Sequence, residues 1–344
     1  MSQKAYYYVY GHTASGLQDF LPSNVTNIKH VFALNHPSLK VKTAVMKQFI
    51  NRHENQANLE IIKSVHGEDY LDGVIVRDES VAVIAEPNPN IDNVAHVDLK
   101  KYYEVKNIDD RLLDKEKSAI EAAYKNFATG LKVHDNLEEI YINQMDFNRA
   151  DQLALEFIDD LLKSQPKREK GGYIYRRLFG TNTSDGVVNV VPEIVETIAN
   201  VYFIKGRAGT GKSIFMKKIA KACTDLGLDI ELYHCSFDPN SIDMVLVREL
   251  DFCIFDSTDP HEFFPQRDGD QIIDLYEKLV APGTDEKYAE EINKTNSTYK
   301  SYMKQGIENL KKAGSYRKQI ESAYTQPDEK ELHKIVESVV MGLY

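Results

Sequence analysis

The chain has 344 residues, which is enough for two domains of ordinary size. Asp and Glu (53) outnumber Lys and Arg (42), and the resulting net charge of −11 argues against a basic nucleic-acid-binding surface. No run approaches the roughly 18 consecutive apolar residues of a membrane span, and the first residues lack the charged-then-apolar order of a signal peptide. We therefore expect a cytoplasmic protein with no membrane-embedded part.

A repeat at an offset of 170 positions relates the two halves of the chain. The segment 198–206 (IANVYFIKG) matches 28–36 (IKHVFALNH), and Gly16 recurs as Gly186 (186 − 16 = 170). The polar run 166–172 (PKREKGG), which ends in paired glycines, is typical of an exposed linker. The sequence thus predicts two tandem modules, residues 1–166 and 173–344, which we expect to pair within the chain.

In chain order, each module reads as strand, loop, helix, strand, variable segment and strand, followed by a helix-rich tail. The first tail spans 109–164 and the second spans 285–343; we expect each to pack on its own sheet or against the other. In the second module, strands are predicted at 201–205, 230–233 and 252–255, and a helix at 214–226 that ends at Gly227. The fold class is therefore α/β, with two P-loop NTPase-like, three-layer modules and mostly parallel sheets.

A glycine-rich loop lies between the first of these strands and the helix. Its residues fit the pattern G-x-x-x-x-G-K-[ST]: Gly206, Arg207, Ala208, Gly209, Thr210, Gly211, Lys212 and Ser213. Glycines allow successive backbone N–H groups to wrap around phosphate oxygens, and the helix N-terminus adds a partial positive charge. We expect Lys212 to reach the β- and γ-phosphates of a nucleoside triphosphate and Ser213 to ligate Mg²⁺.

Asp256 follows the apolar run 252–255, at the position of a Walker B carboxylate that would hold Mg²⁺ beside the loop. A helix-capping or turn role is the alternative for this residue. No glutamate follows it as a catalytic base. Three nearby residues could orient a water or an acceptor hydroxyl, or simply cap and pack the loop: Asp259, His261 and Glu262.

Two further aspartates come just after the strand 230–233, whose carboxyl end should face the phosphates. Asp238 and Asp243 could contact substrate or metal, or stabilise the turn that contains Asp-Pro-Asn-Ser. Arg248 and its counterpart Arg77 could act as arginine fingers across a module interface. Structural salt bridges are the alternative that we favour for both arginines.

The three cysteines, Cys223, Cys235 and Cys253, have no CxxC spacing and predict neither a disulfide framework nor a zinc site. His234 precedes Cys235 on a predicted strand, so a metal or thiol site there is the lesser alternative. We expect these residues to pack in the core.

The first module has lost the glycines at the corresponding loop. Residues 36–43 (HPSLKVKT) retain Lys42 and Thr43, but Pro37 removes a backbone N–H, and Glu86 stands at the Walker B position. A phosphate-binding nest is not expected there, which leaves this module a structural or regulatory role.

The duplication, the loop, the segment 234–236 (HCS) and the segment 256–261 (DSTDPH) together resemble a bacterial family of duplicated P-loop ATPases, often labelled ATPase or nucleotide kinase. The resemblance spans nearly the whole chain, although the first module is degenerate. It implies a P-loop NTPase fold in each half, ATP as the nucleotide, and motif roles for the glycines of the loop, Lys212, Ser213 and Asp256.

From these observations we expect a Mg²⁺-dependent ATP-binding protein, a slow ATPase that acts as a nucleotide-driven switch on module packing or on a protein partner. Lys212 and Asp256 are its candidate catalytic residues. One alternative is a phosphotransferase with a small-molecule or nucleotide acceptor held near Asp238, Asp243 and Arg248. Another is a non-catalytic scaffold that senses nucleotide.

Overall fold

A computed structural model describes residues 3–104, 108–325 and 328–341 of the chain. The fold is α/β, with two mixed six-stranded sheets whose strands are mostly parallel. The elements of the first half are β1 Lys4–Tyr8, β2 Tyr10–Thr13, β3 Gly16–Asp19, α1 Leu21–Val25, β4 His30–Asn35, α2 Leu39–His53, β5 Leu59–Lys63, β6 Leu71–Val76, β7 Val81–Ile84, β8 Val94–Asp98, α3 Asp110–Ile142 and α4 Phe147–Leu162.

The second half follows an exposed connection that includes the predicted linker. Its elements are β9 Ile174–Arg177, β10 Gly180–Thr183, β11 Gly186–Asn189, α5 Val191–Val195, β12 Asn200–Lys205, α6 Lys212–Asp225, β13 Ile230–His234, β14 Ile242–Val247, β15 Phe252–Asp256, β16 Gln271–Asp274, α7 Leu275–Leu279, α8 Thr284–Lys287, α9 Ala289–Ser322 and α10 Glu329–Met341. Positions 326, 327, 342 and 343 of the second predicted tail lie outside the described residues.

The strands and the helix predicted around the glycine-rich loop are confirmed, with ends that differ by one or two residues. Gly227 follows the C-cap of α6 with φ +90°, a backbone angle that glycine adopts without strain. The helix therefore ends where the sequence indicates.

The two sheets have corresponding strand orders, β1-β5-β6-β7-β4-β8 and β9-β13-β14-β15-β12-β16. In each sheet a single strand, β6 or β14, is antiparallel to both of its neighbours. The carboxyl ends of β12, β13 and β15 consequently lie at one edge of the second sheet, as expected for a ligand-binding edge.

Alternation of apolar side chains explains how each sheet is covered. In β4, Val31 and Ala33 point into one cluster while Phe32 and Leu34 point into another, and β7 alternates in the same way. The inner faces of both sheets, with the short helices α1 and α5, contribute to one shared hydrophobic cluster. Longer helices cover only the outer faces, so the arrangement differs from the predicted three-layer module: the other half occupies the third layer.

The long helices of the two tails, α3 and α9, pack against each other in antiparallel orientation, as one of our two expectations held. Their closest approach is at Gly306, where a Cβ would lie 2.2 Å from Cε1 of Phe127. The shorter tail helices do not cover their own sheets. Helix α4 packs on α6 of the second half, and α10 packs on α2 of the first half.

Each half therefore receives part of its outer layer from the other half. The predicted boundary at 166–172 separates the two sheets in sequence, but the helical layers cross it in space. Within the described ranges, no helix has the length and apolar character needed to cross a membrane.

Candidate functional site

The loop Gly206–Ser213 connects β12 to α6 in a conformation that depends on its glycines. Gly209 and Gly211 have φ values of +72° and +80°, which side-chain-bearing residues rarely adopt. The Thr210 hydroxyl donates to the carbonyl of Arg207 at 2.8 Å and accepts from the Arg207 N–H at 3.2 Å. The turn is thus held from within by one side chain.

Lys212 and Ser213 begin α6 and point toward neighbouring strands. The Lys212 ammonium donates to the Arg207 carbonyl at 2.7 Å and lies 3.6 Å from Oδ2 of Asp256. Ser213 Oγ accepts from the N–H of Ile242 at 2.9 Å, which fixes the side chain against β14. A hydroxyl oxygen has two lone pairs, so this bond leaves Ser213 able to bind a cation.

Asp256 ends β15, next to β12 in the sheet, and is therefore carried to the loop by strand pairing. Its Oδ1 accepts from Thr258 Oγ1 at 2.6 Å, while Oδ2 faces Lys212. The loop lysine and the carboxylate predicted to hold Mg²⁺ lie side by side.

A cavity of about 920 Å³ opens over this loop, large enough for a nucleotide-sized ligand. All eight loop residues line it. The structure also brings six of the other predicted residues to its wall: Asp238, Asp243, Asp256, Asp259, His261 and Glu262. The cavity is thus rich in carboxylates, which are ligands that Mg²⁺ prefers.

The two aspartates after β13 have different surroundings. Asp238 accepts from Asn240 N–H and Ser241 Oγ, as in the turn role that we weighed against ligand contact. Asp243 is buried beside Asp256, and burial together with that neighbouring carboxylate raises its pKa to about 7. A proton or a cation between Asp243 and Asp256 would relieve their repulsion.

The segment after Asp256 is tied down by several contacts. Asp259 pairs with Lys300 of α9 at 2.7 Å, and Glu262 pairs with Lys205 at 3.2 Å. His261 is buried, its pKa is lowered by that burial, and its Nδ1 has no hydrogen-bond partner among the described residues. Of the three, only His261 has an uncommitted polar atom on the cavity wall.

Arg77 and Arg248 lie away from the cavity. Arg77 pairs with Glu60, and Arg248 makes the corresponding pair with Glu231. Arg177, only 3% exposed, bridges both of these glutamates. The salt-bridge interpretation is therefore confirmed for both arginines, and neither is placed as an arginine finger in this conformation.

The cysteines are in the core or at its border. Cys223 and Cys253 are buried in hydrophobic clusters, and Cys235 is half-buried on the cavity wall beside Asp243. Burial raises the pKa of all three thiols, which disfavours a reactive thiolate. The ring of His234 stacks on Phe20 at 4.4 Å between centroids.

Sequence reasoning missed the contribution of α3, which belongs to the first half but lines the cavity of the second. His134, Asp135 and Glu138 stand on its inner wall. Burial lowers the pKa of His134 and raises that of Glu138. The i, i+4 spacing of His134 and Glu138 indicates a common helix face, but no sequence signal says which module that face meets.

The corresponding region of the first half is closed. Lys42 is 1% exposed and forms an ion pair with Glu86, and Thr43 accepts from Leu71 N–H as Ser213 does from Ile242. The carboxylate of Glu321, from α9, lies at the N-terminus of α2 and is completely buried. The position that a phosphate would need is filled by the chain itself.

Comparison of the chain with protein-family models, with curated proteins and with solved structures found no match.

Proposed function

We propose that the chain binds Mg·ATP in the cavity of its second half and hydrolyses it slowly, as a nucleotide-driven switch. The observation that carries the proposal is the grouping of the glycine-rich loop, Lys212, Ser213 and Asp256 around one end of a cavity of about 920 Å³. A P-loop needs a backbone nest, a mobile cation and two oxygen ligands for Mg²⁺, and these residues supply all of them.

Each residue has a distinct role in this proposal. The N–H groups of the loop and of the start of α6 bind the β- and γ-phosphates. Lys212 exchanges its bond to the Arg207 carbonyl for one to a phosphate oxygen. Ser213 and Asp256 hold Mg²⁺, which when bound neutralises part of the charge that develops on the transferring phosphoryl group.

The switch follows from where the cavity lies. Its walls include α3 from the first half as well as α9 from the second. A nucleotide that changes the position of either helix alters the packing between halves. The corresponding strand orders of the two sheets support a tandem duplication in which the first copy has lost its nucleotide site, and they support the proposed relationship to duplicated P-loop ATPases.

A phosphotransferase is the second candidate, because the cavity continues beyond the loop toward α9. Asn293, Asn296 and Lys300 line that extension together with Asp259. These amide and charged groups could hold a polar acceptor facing the terminal phosphate.

ADP release from Mg·ATP by purified wild type and by Lys212→Ala tests the proposal. We expect slow turnover in the wild type and a loss of about tenfold or more in the variant, since a charge-assisted contact to phosphate is removed. Lys221→Ala is the matched control, because Lys221 lies on the same helix with its side chain 73% exposed and should leave turnover unchanged.

Equal turnover in wild type and Lys212→Ala would contradict the proposed site. Turnover that requires an added metabolite would instead favour the phosphotransferase. Tight ATP binding without turnover under any condition would favour a nucleotide-sensing scaffold.

A further inference from the structure

Helix α3 lies directly on the glycine-rich loop. A Cβ at Gly209 would come within 2.4 Å of the Glu138 carbonyl oxygen, and one at Gly211 would lie 3.3 Å from Cε of Met145. The backbone of α3 is thus in van der Waals contact with the loop whose N–H groups the proposed function assigns to phosphate. A ligand that enters the loop must contend with this helix.

The Glu138 side chain turns toward the same N–H groups. The Gly209 amide hydrogen-bonds to its carboxylate, and Lys212 is near enough to favour the charged form. His134 Nδ1 lies 3.7 Å from Glu138 Oε1. A carboxylate therefore occupies part of the environment that would suit a phosphate oxygen.

The first half shows a completed version of this arrangement. The Glu321 carboxylate accepts from Ser38 Oγ at 2.6 Å, from Leu39 N–H at 2.8 Å and from Lys40 N–H at 3.2 Å. These donors start α2, the helix that follows β4 as α6 follows β12. In both halves, a carboxylate from one of the two long helices meets the N-terminus of the helix where the repeat places a phosphate site.

The two arrangements differ in how firmly the carboxylate is held. Glu321 is fully buried, whereas the Glu138 side chain is 38% exposed and borders the open cavity. Asp135 and Asp238 lie close enough to destabilise a charge on Glu138, and burial does the same. Glu138 is thus the occupant that a polyphosphate can displace.

We propose that Glu138 is a displaceable internal substitute for phosphate, which nucleotide must push out of the loop together with the adjoining part of α3. This inference rests on the proposed function and adds its regulation. Because the carboxylate competes with phosphate, it weakens nucleotide binding, and its departure is the movement that the nucleotide causes.

A chain of contacts leads from this movement to the first half. Near the other end of α3, Glu116 accepts two hydrogen bonds from Arg317 of α9, at 2.8 and 2.7 Å. Arg317 also lies 3.9 Å from Glu321, the carboxylate seated on α2. The 22 residues of helix between Glu116 and Glu138 span about 33 Å, so a displacement at the loop reaches the first half through one rigid element.

The test compares the binding of ATP, tripolyphosphate and adenosine to wild type, Glu138→Gln, Glu138→Ala and Lys212→Ala. We expect Glu138→Gln and Glu138→Ala to bind ATP and tripolyphosphate about tenfold more tightly, and adenosine as the wild type does. Glu139→Gln is the control, because Glu139 is exposed on the same helix and should bind all three ligands unchanged. In wild type, tripolyphosphate should also speed amide hydrogen exchange in 131–142.

Unchanged or weaker binding of tripolyphosphate by both Glu138 variants, with binding lost in Lys212→Ala, would overturn the gate and leave the proposed nucleotide site standing. Binding in Lys212→Ala equal to that in wild type would overturn the proposed site, and the gate with it. A tenfold gain for adenosine as well would also overturn the gate, because it would show a general opening of the cavity and no competition with phosphate.

Discussion

At the scale of single residues, two aspartates occupy the second position of β6 and of β14. Burial is the main cause that raises the pKa of Asp72 and of Asp243 to about 7 in each case. Asp243 borders the open cavity, whereas Asp72 lies in the closed first half and its Oδ2 has no hydrogen-bond partner among the described residues. Asp72 therefore resists ionisation without a ligand to stabilise its charge.

Asp72→Asn should change the pH dependence of stability. Because the folded pKa is above the unfolded one, the contribution of Asp72 to stability is fully present below about pH 4 and is lost as pH rises through about 7. The variant should lose less stability across that range and be more stable by about 1–3 kcal/mol above pH 7. Urea unfolding at pH 5 and pH 8 measures the difference.

Asp78→Asn is the control for this measurement, because Asp78 is close by in sequence but only partly buried in the turn after β6. A stability curve for Asp72→Asn that runs parallel to the wild-type curve between pH 4 and 8 would contradict the assignment.

At the scale of elements, α10 completes the core of the first half. Leu332, Ile335, Val336 and Val339 of α10 join the cluster formed by α2 and the outer face of the first sheet. An ion pair between Arg52 and Glu337 connects the two helices at their surface. Most of the apolar face of α10 is thus buried against residues of the other half.

Ile335→Ala should destabilise the protein by about 2–5 kcal/mol, since the side chain is 0% exposed and its removal leaves a cavity between α10 and α2. Denaturant unfolding gives the value. His333→Ala, on the exposed side of the same helix, should change stability by less than about 0.5 kcal/mol. Similar effects of the two substitutions would show that α10 is not packed as described.

At the scale of the whole molecule, a buried charge cluster lies where the two halves meet. Arg177 contacts Glu60 of the first half and Glu231 of the second, and its guanidinium lies 3.8 Å from the ring centroid of Tyr7. Burial would disfavour charge on Glu60, but Arg177 and Arg77 lower its pKa to about 2. The cluster stabilises the junction only while each charge keeps its partner.

Arg177→Met should therefore destabilise the protein by about 3–5 kcal/mol, because two buried carboxylates lose the cation between them. Thermal or urea unfolding provides the measurement. Arg168→Met is the matched control: Arg168 also pairs with a glutamate, Glu249, but both side chains are over 40% exposed, so about 0–1 kcal/mol is expected. Equal losses would contradict the role of buried charge at the junction.

The sequence predicts the local parts of the second half well. Strand, glycine-rich loop, helix and Asp256 follow one another within about 50 residues, and their patterns depend on near neighbours. The partners of the tails are a different matter. Helical periodicity shows that α3 and α10 each have an apolar face, but it does not identify the surface that this face meets. Glu138 and Glu321 act across the halves and were therefore missed.

The exchange of tail helices also has a consequence for how the chain folds. Helix α2 is made early, yet the surface that covers it, on α10, is the last helix described, so this contact joins residues far apart in sequence. Contacts of that kind slow folding, because a long loop must close before they form. During synthesis at about 5–20 residues per second, the apolar side of α2 waits uncovered for tens of seconds, the interval in which a nascent chain most needs a chaperone.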